Sequence, residues 1–128
     1  MKNAVKNWLD SPQYDLETAE NMFAAGRYIY TVFMCHVALE KALKAKVEEI
    51  TFKTPPKTHD LGYLVELAGL FPDKDIEEFI VEISNLSVVT RYPNDFQRML
   101  TDFSKERVEF ILIKTGEIFQ WVKKSMLL

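Results

Sequence analysis

The stretch RYIYTVFMCHVALEKALKAKVEEI, residues 27–50, decides the fold class. Ile29, Val32, Phe33, Leu39, Leu43, Val47 and Ile50 recur at three- and four-residue steps, which puts them on one face of a helix. Glu40 and Lys44 stand four apart in the favourable order, so the spacing predicts an ion pair along an exposed edge. Arg27, Lys41, Lys44 and Lys46 add positive charge to the same helix. A solvated face is the plain expectation for them; a weak phosphate-binding surface is the functional one. His36 lies inside the apolar stripe. It is either a buried, hydrogen-bonded core histidine or, with Glu40 one turn on fixing its tautomer, part of a polar ligand site.

Outward from this helix the same period continues. TFKTPPKT (51–58) ends it, because Pro55-Pro56 cannot propagate a helix. Thr58 is a plausible cap for a short third helix with the stripe Leu61, Leu64, Val65 and Ala68. Phe71-Pro72-Asp73 turns the chain. A fourth helix is predicted over about 74–90, with Ile76, Phe79, Ile80, Ile83 and Leu86 inward. Tyr92-Pro93-Asn94-Asp95 reads as a loop, with Asn94 and Asp95 as turn residues. The last helix begins between 96 and 104 and runs to about 124. Val108, Ile111, Leu112, Ile118, Phe119 and Val122 share one side; Phe110, Ile113 and Trp121 widen it, so it is either central or covered by a second chain.

Upstream, Val5, Trp8, Leu9, Leu16, Ala19, Met22 and Phe23 form a further stripe that Pro12 interrupts. Either Asp10 or Ser11 caps a helix opened by Pro12, or one kinked helix runs through. Gly26 is the predicted stop. These segments predict an all-α, up-and-down bundle of four to five helices in a single domain over residues 1–128.

Composition agrees. Of 128 residues 48% are hydrophobic, with nine Phe, five Tyr and two Trp, enough for one core; four Gly and five Pro are too few for a turn-rich β fold. The net charge of −3 excludes a globally basic nucleic-acid binder. One cysteine, Cys35, sits in an apolar helical run and is expected to be a buried thiol. No signal-peptide pattern and no membrane-length apolar run occur, so a cytoplasmic protein is expected. Phosphate-binding glycine loops, H-E-x-x-H, an EF-hand loop and G-x-S-x-G are all missing, and one Cys with two His cannot build an ordinary zinc site. No cofactor is expected.

Two further residues invite function. His59, in Lys57-Thr58-His59-Asp60, suits local capping or anion binding at a helix start. Arg91, ahead of Tyr92-Pro93, either faces the helix C-terminus or offers a planar fork to phosphate.

Several segments together resemble the HEPN family (higher eukaryotes and prokaryotes nucleotide-binding domain). They are Asp15-Leu16-Glu17-Thr18-Ala19, Gly26-Arg27-Tyr28, the run Phe33 to Ala45 with its A-x-E-K-x-L-K-A form, Thr58-His59-Asp60-Leu61, and Arg91-Tyr92-Pro93. The resemblance implies a helical bundle that dimerises and pairs with a small nucleotidyltransferase in toxin–antitoxin arrangements. Many members are metal-independent ribonucleases, with an arginine followed four to six residues later by a histidine. Arg91 matches the arginine, but the positions that should hold histidine are Phe96, Gln97 and Arg98, and no histidine follows His59. The expectation is a non-catalytic module that binds a nucleotide or RNA phosphate through Arg91, Tyr92, Asp95, His36, Glu40, Lys41 and Lys44. Two alternatives stay open: a divergent ribonuclease using Arg91 with His36 or Asp95, and a purely structural dimerisation module.

Overall fold

A computed structural model of the chain describes residues 3–92, 94 and 96–127, with backbone alone for residues 3–8. The side chains of Val5 and Trp8, and the whole of Pro93 and Asp95, therefore lie outside the described residues. Among these residues the chain forms six helices and no strand: α1 Asn3–Ala24, α2 Tyr28–Thr51, α3 Leu61–Leu67, α4 Lys74–Arg91, α5 Phe96–Asp102 and α6 Lys105–Lys124. None is long and apolar enough to cross a membrane.

The axis of the bundle is α2. Val32, Cys35, His36, Ala38, Leu39 and Ala42 are fully buried, and the buried set runs around the helix rather than along one stripe. Helices α1, α6 and α4 pack on its flanks, α3 bridges α2 and α4, and α5 also meets α2. The last helix is therefore not the central one. Val108, Ile111, Ile118, Phe119 and Val122 turn into the core, while Phe110 and Ile113 stay exposed.

Pro12 lies inside a continuous α1. A proline there removes one backbone hydrogen bond. Tertiary contacts hold the helix together at that point: Lys41 Nζ donates to Ser11 Oγ at 2.7 Å and pairs with Asp15 at 2.8 Å, one contact on each side of Pro12. Gly26 ends the helix as predicted. Its φ of 74° lets its N–H reach the Phe23 carbonyl at 3.0 Å while Arg27 N–H reaches that of Met22 at 2.8 Å, satisfying two terminal carbonyls.

Three expectations are corrected. Asp60, not Thr58, caps α3, its carboxylate accepting from Tyr63 N–H at 3.1 Å; Thr58 Oγ1 instead accepts from Asp60 N–H and shapes the entry. Phe96–Asp102 forms a separate helix, α5, and the last helix starts only at Lys105, because Phe103 turns into the core and Ser104 starts α6 anew, accepting from Arg107 N–H at 3.2 Å. The lysines of α2 are no solvated face. Lys41 is committed to α1, Lys44 is buried beside Glu40, and Lys46 is buried between Glu49 and the Ser125 carbonyl.

Candidate functional site

Phe33, His36, Glu40 and Lys44 follow one another at steps of three, four and four, so α2 aligns them on a single face. Two other segments meet that face: the loop carrying His59, just before α3, and the last turn of α4, carrying Arg91.

His36 is fully enclosed, and its Nε2 lies 3.1 Å from the His59 carbonyl oxygen. A carbonyl only accepts, so Nε2 carries the proton and Nδ1 is left with a lone pair. Among the described residues Nδ1 has no hydrogen-bond partner. Glu40 Oε1 is 3.9 Å from it, too far to fix the ring. The carbonyl of His59, not Glu40, therefore sets the tautomer. Burial, reinforced by the charge of Arg91 and opposed by that of Glu40, drives the imidazole down to about 4, so His36 stays neutral.

Glu40 is engaged on both oxygens. His59 Nδ1 donates to Oε1 at 2.8 Å and Lys44 Nζ donates to Oε2 at 3.0 Å. Burial pushes this carboxyl up, but the two hydrogen bonds and their charges outweigh it and hold Glu40 below the ordinary value. The predicted Glu40–Lys44 pair is formed, but it is interior rather than an exposed edge, because the 52–60 loop folds over it. The His59 side chain is 65% exposed, so its ring bridges this interior carboxylate and the surface.

Arg91 turns inward. Its guanidinium carbon sits 4.8 Å from the centre of the Phe33 ring, a cation–π arrangement, and its Nε is buried with no hydrogen-bond partner among the described residues. No carboxylate among those residues pairs with it. The next residue, Tyr92, is exposed and lines an open cavity of about 470 Å³ with Val88, Val89, Asn94, Arg98, Met99 and Asp102.

Five of the residues read from the sequence thus come to one region: His36, Glu40 and Lys44 on α2, and Arg91 and Tyr92 at the end of α4. Lys41 is drawn away to Asp15, and Asp95 lies outside the described residues. One participant escapes the sequence reading and another is given the wrong partner by it. Phe33 reads there as core alone, although it carries the arginine. His59 reads as part of a helix start, although its ring is the partner of Glu40. The spacing Phe33–His36–Glu40 is the available signal, since it marks a polar face of α2 that something must cover. No group of three or more His, Cys, Asp or Glu among the described residues is arranged to hold a metal ion.

A model of the HEPN domain matches residues 5–125, nearly the whole chain. The chain belongs to the HEPN family. Solved structures share this HEPN fold. TT1696 from Thermus thermophilus superposes with a TM-score of 0.76 at 20% identity, over 96% of this chain and 98% of its own. ST0689, an archaeal HEPN homologue, gives 0.76 at 21% identity, over 97% and 98%. Among curated proteins no relative matches this HEPN domain.

Proposed function

We propose that this HEPN domain binds a phosphate-bearing ligand, a nucleotide or RNA, at Arg91 without cleaving it, as the binding half of a pair with a small nucleotidyltransferase. One observation carries the reading. A half-buried guanidinium is stacked in place on Phe33 and has no anion beside it among the described residues. A desolvated, pre-oriented arginine gains most from a charge-assisted, forked contact to phosphate. The positive charge is then neutralised by ligand rather than by protein.

Proton transfer is the missing half of the ribonuclease chemistry. Phe96, Gln97 and Arg98 stand where the histidine belongs. His36 is no substitute, since it is enclosed, held neutral down to about pH 4, and already gives its one N–H to the His59 carbonyl.

A second reading, a divergent metal-independent ribonuclease using Arg91, has one observation in its favour. His59 is an exposed imidazole oriented by a carboxylate, the arrangement of a general acid or base. Distance along α2 weighs against it. The residues that anchor Arg91 and His59, Phe33 and Glu40, are seven apart, roughly 10 Å of helix rise. An acid or base has to lie within about 3 Å of the atom it serves.

A homodimer is also part of the proposal. The broader exposed apolar surface runs across the α4–α5 junction, through Val88, Val89, Tyr92, Phe96 and Leu100, rather than along α6. Dimerisation there would border the cavity next to Arg91.

The test is direct observation of the arginine. In a ¹⁵N spectrum the Arg91 Nε–H signal is expected to shift and saturate on titration with adenosine monophosphate, and Arg91→Lys should lower the affinity about tenfold. A signal indifferent to nucleotide and to short RNA alike would remove the site. Stable co-purification with a nucleotidyltransferase from an adjacent reading frame tests the partner, and failure to bind it would remove that part.

A further inference from the structure

Away from Arg91, α3, the turn that follows it and α4 line a groove of about 570 Å³. Its floor is Val65 and Ile80, both buried, and its rim carries the exposed Val81 and Phe71. Phe71 is 93% exposed, the most exposed large apolar side chain described. It is not held loosely. On one side α3 closes with Gly69 N–H on the Glu66 carbonyl and Leu70 N–H on that of Val65; on the other Asp73 caps α4 through Ile76 N–H. A single exposed aromatic needs no explanation. One fixed on a short, pinned turn at the lip of an apolar groove has the form of an anchor for another chain.

The walls of the groove are acidic. Glu66 on α3 and Glu77 on α4 line the groove from opposite sides, both exposed and without ion-pair partners among the described residues. Asp73, Asp75 and Glu78 extend the negative charge along the start of α4; of these, Asp75 is already matched by Lys114 and Glu78 by Lys74. An apolar floor between two unmatched carboxylates complements a ligand that is apolar in the middle and basic at its sides.

We propose that the α3–α4 groove is a docking site for a short helical segment of another protein, with apolar side chains three or four residues apart and lysine or arginine flanking them. The groove between two helices accepts such a segment by the usual helix-in-groove geometry. A second copy of this chain fits less well, because the chain is itself net acidic, at −3. The groove shares no lining residue with the Arg91 site.

The experiment titrates the ¹⁵N-labelled full chain with an amphipathic leucine–lysine peptide of about four helical turns and with its leucine–glutamate counterpart. The lysine peptide is expected to shift the amides of Gly62, Glu66, Gly69 and Val81 in a saturable way. The glutamate peptide should bind at least about tenfold more weakly. The exposed double substitution Glu66→Lys, Glu77→Lys should weaken the lysine peptide by at least about tenfold, while Glu109→Lys on α6 leaves it within about twofold. Three results would each overturn the proposal: equal binding of the two peptides, shifts scattered over acidic surface outside the groove, or groove shifts that grow with protein concentration in the absence of peptide, which would mark a second copy as the occupant.

Discussion

Burial holds two neighbouring residues of α2 in their neutral forms, His36 by lowering its imidazole and Cys35 by raising its thiol. His36 is neutral and enclosed in the folded chain, with its imidazole at about 4, against an ordinary value near 6.5. Below about pH 6.5 the unfolded chain takes up a proton that the folded chain refuses. Stability therefore falls as pH drops from about 6.5 to about 4, by about 3 kcal/mol in full, and this contribution levels off beneath. Urea unfolding at about pH 7 and about pH 5 should show the loss in the natural chain and a smaller loss in His36→Gln, whose amide nitrogen takes the place of Nε2 and can still donate to the His59 carbonyl. Equal losses in both would show that His36 is not the titrating group. Its neighbour Cys35 is fully buried, and burial drives its thiol up to about 12. A disulfide reagent should leave it untouched in the folded protein and modify it quickly in urea; rapid labelling in native buffer would contradict the packing. What the sequence discloses at this scale is adjacency. Helical spacing brings His36, Glu40 and Lys44 together, yet it is silent on the loop that folds over them, so it predicts an exposed pair where the pair is interior. Nor can it show that the backbone carbonyl of His59, rather than Glu40, holds the imidazole.

Helix boundaries follow local rules wherever a single residue type decides them. Gly26 is such a case. Its φ of 74° is disfavoured for any side chain, and a Cβ there would meet nothing within 4 Å, so the cost of Gly26→Ala is conformational alone. About 1 kcal/mol of destabilisation is expected by denaturant unfolding; no change would show that α1 ends differently. Where two residues compete, local rules run out. Thr58 and Asp60 are both good caps, and the outcome turns on which of them precedes Leu61, the residue that must enter the core. Pro12 is the reverse case. Its local tendency is to break a helix, and the contacts of Lys41 with Ser11 and Asp15 prevail over it. The division at Phe103-Ser104 is hard to place from the sequence because both α5 and α6 carry helical spacing, and it is the burial of Phe103 together with the Ser104 cap that separates them.

At the scale of the molecule, the apolar surface that the bundle leaves uncovered includes the α4–α5 junction and the α3–α4 groove. If the junction closes a homodimer, sedimentation at high micromolar concentration will give twice the chain mass, and Leu100→Glu will return it to the monomer; a natural chain that stays monomeric removes the dimer. The fold class is legible because apolar residues keep a helical period almost throughout. The candidate site is legible only in part, since Arg91 is visible as a residue, while its stacking on Phe33 and its lack of an anionic partner among the described residues are tertiary facts. Those facts lead to the decisive measurement. End-labelled RNA is mixed with the natural chain and with Arg91→Ala, with binding read by fluorescence anisotropy and chain length by denaturing gel in the same samples. Salt-sensitive binding by the natural chain is expected, with at least about a tenfold loss on substitution and RNA of unchanged length throughout. RNA cut by the natural chain and spared by Arg91→Ala would contradict binding without cleavage.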